Sequence, residues 1–196
     1  EYSELSKKIS KISRLKHEKW DKGNGVDLDK QLEMLLFKRS RVVNDSHQRK
    51  YVASKLILNN LKRKKIIFCE SIKQAEEIQE ECKSNDLDTL IYHSRMKRSD
   101  RISVLNSFQS NYYHTLIGCK ALDEGFDVPD IDFGIIVSQT KTSRQRIQRL
   151  GRTIRKSKGK DKPIIYTLYT TEDEYSSLYE EQFSNPHIEV EWKEVK

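Results

Sequence analysis

The chain has 196 residues, 34% of them charged and 35% hydrophobic, and its formal net charge is +7. This length suits one domain with extra structure or two small domains, and it can bury a core without disulfide bonds. The basic balance favours a polyanionic partner, usually nucleic acid, and no apolar run approaches the ~18 residues of a membrane span. Since the sequence begins at Glu1 rather than Met, we expect a fragment of a longer protein. The sequence shows no signal peptide, and we expect no membrane partner.

The first 62 residues are predicted to be helical. Apolar residues recur every three to five positions between residues 1 and 20, which is typical of an amphipathic helix. The sequence "DKGNG" (21–25) predicts a turn, and residues 28–62 predict one long helix or two shorter ones. We interpret residues 1–62 as a helical linker or insertion packed on the core, while their basic runs leave contact with nucleic acid open as an alternative.

From residue 63 the pattern changes to short β-branched runs that alternate with helical segments. The predicted helices cover residues 71–84, 96–110 and 141–151. The predicted strands are "KIIFC" (65–69), "DTLIYH" (88–93), "HTLIGC" (114–119), "FGIIVS" (133–138) and "PIIYTLY" (163–169). This alternation predicts an α/β domain over residues 63–170, with a parallel sheet of about five to six strands and helices on both faces. Residues 171–196 are predicted to extend the same domain with a short helix and a terminal strand.

The cysteines indicate the compartment. Cys69, Cys82 and Cys119 are odd in number, far apart and form no CxxC pair. They are therefore interpreted as reduced thiols, with no zinc or other metal site. We expect a cytoplasmic protein, or a nuclear one if its organism is eukaryotic.

Several phosphate-binding and catalytic motifs are missing from the sequence. It contains no G-x-x-x-x-G-K-[ST], no acidic pair of the kind that binds Mg²⁺ after a strand, no G-x-G-x-x-G, no G-x-S-x-G and no H-E-x-x-H. An α/β domain without a phosphate-cradling loop cannot hold a nucleoside triphosphate alone.

The segment "TLIGCKALDEGFDVPDID" (115–132) runs from an apolar strand into an acidic loop. Gly125 permits a close backbone approach, and Asp127 is placed to accept a hydrogen bond from a sugar hydroxyl or to order a water. An acidic, solvated loop explains the same spacing equally well.

The segment "RQRIQRLGRTIRKSKGK" (144–160) carries arginine at every third position from 146 to 155. Arginine presents a planar fork of donors that suits phosphate oxygens. Gly151 would loosen the helix and let Arg152 and Arg155 turn into a shared cleft. A basic helix that coats nucleic acid, or a localisation signal, is the plainer alternative.

Four segments in order resemble one family, the superfamily 2 helicases and translocases. "QRLGRTIR" (148–155) resembles the sixth motif, Q-R-x-G-R-x-x-R, and "KIIFCES" (65–71) resembles the fourth. "YHSRMKRSDRISVLNSF" (92–108) resembles the strand-end His, Arg and helix that follow, and Gly125 and Asp127 stand in the G-x-D of the fifth motif. The resemblance covers about residues 62–170 and implies the second, C-terminal RecA-like domain, with a P-loop NTPase fold.

The residues that occupy the fifth and sixth motifs favour branches of the family that act on DNA rather than RNA. Gln148 opens the sixth motif where DEAD-box RNA helicases usually have His, and "EGFDVPDID" differs from their R-G-x-D. Both are similar to the XPB, RadD and restriction-enzyme translocase branches. Cys119 replaces a Thr that contacts phosphate in the family, which puts that side-chain contact in doubt.

The resemblance also implies roles for individual residues. ATP with Mg²⁺ would lie between two RecA-like domains and be held mainly by the N-terminal one, which this chain lacks, so the chain alone would be inactive. Arg152 and Arg155 would be arginine fingers, Gln148 would position the γ-phosphate or the attacking water, and Gly125 and Asp127 would contact the nucleotide. The nucleic-acid contacts would come from the strand-end loops, at Glu70, Ser71, Ser94, Arg95, Cys119 and Lys120. His93 is interpreted as structural, and a nucleic-acid-binding module without an ATPase role is the alternative function.

Overall fold

The computed structural model describes residues 1–19, 25–119, 131–138, 162–182 and 189–195. The chain divides into two compact units, Glu1–Ser46 and His47–Lys196. The boundary predicted from sequence, after residue 62, lies one helix further along the chain. No helix in the described ranges is long and apolar enough to cross a membrane.

The first unit is a pair of helices, α1 (Tyr2–Lys19) and α2 (Gly25–Asn44). Leu5 of α1 is buried, with 9% of its surface exposed, and the Lys16 ammonium lies 2.6 Å from the Asp29 carboxylate of α2. The Arg39 guanidinium lies 5.7 Å from the centre of the Tyr2 ring. The amphipathic helix predicted from the spacing of apolar residues is therefore present.

The second unit begins with α3 (His47–Leu58) and alternates strands with helices. Its remaining elements are β1 (Lys65–Cys69), α4 (Ile72–Lys83), β2 (Leu90–His93), α5 (Arg98–Gln109), β3 (Thr115–Cys119), β4 (Phe133–Ile136), β5 (Ile164–Thr167) and α6 (Glu172–Gln182). The five predicted strands are all present, and residues 28–58 form two helices rather than one. The α/β class is confirmed.

The five strands form one parallel sheet in the order β2-β3-β1-β4-β5. At the middle of the sheet, Ile67 of β1 lies opposite Ile117 of β3 and Ile135 of β4. Because every strand runs in the same direction, all five carboxyl ends lie along one edge, called here the carboxyl edge. In open parallel sheets this is the edge at which ligands bind.

Both faces of the sheet are covered, which explains why its central strands are apolar throughout. On one face, Ala53 and Ile57 of α3 and Ala75 and Ile78 of α4 pack with Ile67 and the strand residues beside it. On the other face, Phe108 of α5 packs among strand residues that include Ile66, Phe68, Leu116 and Ile136. Successive residues of β1 alternate between these two clusters, as the period of a strand requires.

Two predictions at the end of the second unit have different outcomes. The short helix is confirmed as α6, but residues 189–195 form no strand. Trp192 instead packs edge-on against Tyr175, with ring centres 4.9 Å apart, and donates from its Nε1 to Gln182 at 3.3 Å. The helix predicted over residues 141–151 lies outside the described residues.

Candidate functional site at the carboxyl edge

The loop after β1 is fixed by the start of α4. Ser71 has extended backbone angles (φ −127°, ψ 152°), and its Oγ accepts the Gln74 N–H at 3.1 Å. Serine suits this position because its side chain replaces a hydrogen bond that the first turn of a helix cannot make internally. One lone pair of the Ser71 hydroxyl is therefore used by the cap, while its hydrogen remains able to donate to a ligand.

The loop after β2 carries the two exposed candidates. Ser94 and Arg95 follow the last residue of the strand, His93, and both are exposed. Arg95 lies two residues after the end of β2 and places an exposed positive charge at the carboxyl edge. Within the described ranges, the buried Nδ1 of His93 has no hydrogen-bond partner, so the side-chain bond expected of a structural histidine is not seen there.

Cys119 ends β3 beside the last residue of β1. It lies opposite Cys69 in the strand register, and both thiols belong to the buried cluster under α3 and α4. Burial, and after it the neighbouring Cys119, raises the pKa of the Cys69 thiol well above its usual value. With its sulfur in the core, Cys119 has only its backbone left to offer a phosphate.

The other site residues predicted from the sequence lie outside the described residues. These are Lys120, Gly125, Asp127, Gln148, Arg152 and Arg155. The structure therefore brings together the strand-end loops that carry Ser71, Ser94, Arg95 and Cys119, and their roles stay predictions.

A buried polar pair at this edge escaped the sequence analysis. Gln74 of α4 and Ser138, two residues after β4, are fully buried, with 0% and 1% of their surfaces exposed. The Gln74 Nε2 donates to the Ser138 Oγ at 2.9 Å, and the Gln74 Oε1 accepts the Glu70 N–H at 3.1 Å. The loop after β1 is thus joined by hydrogen bonds to the end of β4.

A buried arginine joins β4, β5 and α6. Arg49 of α3 donates from its Nη1 to the carbonyls of Val137 at 2.7 Å and Leu168 at 3.0 Å. Its Nη2 donates to the Thr170 Oγ1 at 3.0 Å and to the Glu174 carboxylate, with which it forms an ion pair. Charge-assisted bonds of this kind are roughly twice as strong as neutral ones, so Arg49 fixes where the chain leaves β4 and β5.

The described residues at this edge include side chains that can bind anions. Ser94 and Arg95 are exposed, and Ser71 is half-buried beside the half-buried Glu70; hydroxyl and guanidinium groups contact phosphates in nucleic-acid complexes. In the part of the chain that the structure describes, no three His, Cys, Asp or Glu side chains come close enough to hold a metal ion.

Comparison with protein families places these features in context. The family model described as "Helicase conserved C-terminal domain" matches residues 48–157, more than half of the chain. The match begins one residue into α3 and ends before β5, so it includes Arg49 and strands β1 to β4.

Among curated proteins, the ATP-dependent RNA helicase HAS1 of Saccharomyces cerevisiae is 30% identical over 125 residues, which are 64% of this chain and 25% of that protein. The DNA 3'-5' translocase XPB2 of Sulfurisphaera tokodaii is 37% identical over 68 residues, 35% of this chain and 15% of that protein. The chain thus spans a quarter or less of the length of these relatives.

Among solved structures, the C-terminal domain of the DEAD-box protein Dbp5 has a TM-score of 0.62 at 20% identity. The similarity covers 75% of this chain and 83% of that domain. At this identity the likeness shows the fold alone, a RecA-like C-terminal domain.

Proposed function

Because the chain belongs to the family of helicase conserved C-terminal domains, we propose that it is the second motor domain of an ATP-dependent superfamily 2 DNA helicase or translocase. In that motor the chain would supply the arginine fingers and part of the surface that binds the nucleic acid. A quarter or less of each of the two relatives described above is matched by this chain, so the activity proposed is that of a longer protein.

One observation carries the proposal: the order of the parallel sheet. β4 lies directly between β1 and β5, so the chain that leaves β4 starts beside the loop of Ser71. The segment that leaves there, from residue 139 onward, contains Gln148, Arg152 and Arg155 in the sequence. The fold therefore supports an arrangement in which nucleic-acid and nucleotide contacts start from neighbouring strand ends.

The proposed role of the arginines follows from their chemistry. Arg152 and Arg155 would reach the γ-phosphate of an ATP held by the N-terminal RecA-like domain and neutralise the charge that develops there. An arginine finger contributes about 10³–10⁵ in rate, because a donor that is already in place costs no reorganisation during the reaction. Gln148 would position the phosphate or the attacking water, and Gly125 and Asp127 would contact the nucleotide.

ATP with Mg²⁺ would supply the free energy of phosphoryl transfer to the motor. The described residues fit a supporting role toward the nucleotide, since Arg49 and Gln74 hold the strand end that precedes the arginine segment. The P-loop and the Mg²⁺-binding acids would belong to the N-terminal domain, and the isolated 196-residue chain would not hydrolyse ATP.

Nucleic acid would bind through its phosphate backbone, along Ser71, Ser94, Arg95, the backbone of Cys119, and Lys120. Such binding is largely independent of sequence and weakens with salt. We propose DNA as the track, on the wording of the fifth and sixth motifs and on the archaeal relative named a DNA translocase. The Saccharomyces cerevisiae relative is named an RNA helicase, which makes RNA the competing outcome. The buried free cysteines suit a reducing compartment, the cytoplasm or the nucleus.

ATP turnover by the full-length protein tests this proposal. Its steady-state rate is measured without nucleic acid, with duplex or single-stranded DNA, and with RNA of the same sequence, each at two salt concentrations. We expect DNA to stimulate turnover more than RNA and the 196-residue chain alone to show none. Stronger stimulation by RNA would overturn the choice of track. Nucleic-acid binding without any ATP turnover by the full-length protein would favour a binding module instead.

A further inference from the structure

We propose that the exposed side of α1 is a second nucleic-acid-binding surface, which contacts the phosphate backbone. This surface, called here the α1 face, consists of Ser3, Lys7, Ser10, Lys11 and Arg14. It lies within the first unit and outside the residues that match the family model. The inference rests on the proposed function for the class of partner, nucleic acid, and it adds a binding site that the helicase domain does not contain.

The spacing of these residues places them on one side of the helix. Lys7, Lys11 and Arg14 follow one another at intervals of four and three residues. Ser3 and Ser10 stand four residues before Lys7 and Arg14. Residues three or four apart are neighbours on the surface of a helix. All five residues are exposed, and all five line one depression in the protein surface.

The remaining surface of α1 is used within the first unit. Leu5 is buried, and Ile9 and Ile12 are half-buried. Lys16 pairs with Asp29 of α2 at 2.6 Å, so the charge of this lysine is already neutralised. α1 therefore presents charge rather than apolar surface to solvent.

The charges of the α1 face are not balanced by neighbouring carboxylates. α1 carries six Lys or Arg against two Glu. Within the described ranges, Lys7, Lys11 and Arg14 form no ion pair, although Glu4 stands only one turn before Lys7. Like charges three or four residues apart destabilise a helix. A polyanion bound at this face would remove that repulsion.

The length of the face suits a phosphate backbone. Lys7 and Arg14 are seven positions apart, which is about 10 Å along a helix that rises 1.5 Å per residue. The phosphates of one DNA strand follow at about 3.4 Å along the duplex axis. Three cations over this span therefore face roughly three phosphates. The hydroxyls of Ser3 and Ser10 add uncharged groups of the kind that also contact phosphate oxygens.

An anionic membrane is a poorer match for this face. A helix that lies on a membrane buries an apolar side between the headgroups. In α1 the apolar residues Leu5, Ile9 and Ile12 are buried or half-buried within the protein. A nucleic-acid backbone needs no apolar contact, because its affinity comes from the phosphates.

The test is the salt dependence of duplex DNA binding by the full-length protein. Each phosphate neutralised by a cation contributes about −0.9 to the slope of log affinity against log salt concentration. Changing Lys7, Lys11 and Arg14 together to Gln should therefore make the slope shallower by about 2–3, and should weaken binding at low salt by roughly tenfold or more. Glutamine forms helices about as well as lysine and arginine, so α1 should stay folded.

A matched variant controls for the loss of charge alone. Lys30 is exposed on α2 of the same unit, three residues from both Asp27 and Glu33. Lys30→Gln should keep the wild-type slope. Thermal unfolding of the triple variant should occur at the wild-type temperature or above, because like charges have been removed. If the triple variant does not fold, Lys11→Gln alone should still make the slope shallower by about 1.

The outcomes separate this inference from the proposed function. A triple variant that keeps the wild-type slope would overturn the inference and leave the proposed function intact. An equal change of slope per charge in Lys30→Gln would show an effect of net charge, which also overturns it. So would weaker binding to vesicles of phosphatidylcholine and phosphatidylserine with an unchanged DNA slope, since the face would then serve a membrane. The predicted change of slope, in a protein whose ATP turnover does not respond to nucleic acid, would support this inference and contradict the proposed function.

Discussion

Replacing Arg49 with Met should destabilise the second unit by about 3–5 kcal/mol, the range seen when one partner of a buried ion pair is removed. In the wild type the Arg49 Nη1 donates to the carbonyls of Val137 at 2.7 Å and of Leu168 at 3.0 Å. The variant leaves both carbonyls without this donor. Each such loss costs about 1–3 kcal/mol, and relief from burying the guanidinium offsets part of the sum. Glu174 is not stranded, because its carboxylate still accepts the Thr170 N–H at 2.9 Å.

Urea unfolding of the 196-residue chain, followed by circular dichroism, measures this cost. Arg98→Met is the matched control, since Arg98 is exposed at the start of α5, and it should change the free energy of unfolding by less than about 0.5 kcal/mol. Glu174→Gln should cost about 1–2 kcal/mol and should reduce the further cost of Arg49→Met, because the pair is coupled. An Arg49→Met variant within about 1 kcal/mol of the wild type would refute the view that this residue clamps the strand ends.

Three further predictions follow from buried groups and a helix cap. Burial lowers the pKa of Lys65 from 10.5 to about 8, so between these values the unfolded chain binds more protons at this group, and the contribution of Lys65 to stability should rise with pH by at most roughly 2–3 kcal/mol. Because the raised pKa values of Cys69 and Cys82 act in the opposite direction above pH 9, thermal unfolding at pH 7.5 and 10 is compared between the wild type and Lys65→Met: the wild type should gain stability relative to the variant as pH rises, and equal changes in both would contradict the prediction. Burial raises the pKa of Cys82 to about 11 and that of Cys69 well above its usual value, so iodoacetamide at pH 8 should label the native chain roughly a hundredfold more slowly than the chain in urea, and equal rates would contradict the buried placement. Ser71→Ala should cost about 1 kcal/mol in urea unfolding through loss of the α4 cap, and an unchanged midpoint would mean that the cap contributes nothing.

The elements of this fold could be predicted because their signals are local. The run from Lys65 to Cys69 is rich in β-branched residues and is bounded by polar segments, and it matches β1 residue for residue. The loops that carry Ser71 and Ser94 followed from the same reasoning, because parallel strands present their carboxyl ends at one edge. Lys65 shows where such local signals fail. A lysine at the end of a strand is expected to be exposed, but Lys65 is fully buried.

The bonds that hold the candidate site could not be predicted because their partners are distant in sequence. Arg49 bonds residues 88, 119 and 125 positions away, and Gln74 bonds Ser138 at a separation of 64. No periodicity or motif spacing in one sequence reports such pairs. For this reason the sequence alone assigns Arg49 to the helical linker, although α3 packs into the core of the second unit.

The central claim, that this chain supplies arginine fingers, is tested most directly by ATP turnover in full-length variants. Arg152→Ala and Arg155→Ala should each lower the turnover number by about 10³-fold or more, while DNA binding at fixed salt stays within a few fold of the wild type. Lys158→Ala, in the lysine-rich part of the same basic segment, is the control and should leave turnover unchanged. If both arginine variants keep their ATP turnover while DNA binding falls, the arginines contact nucleic acid instead of ATP, and the account is wrong.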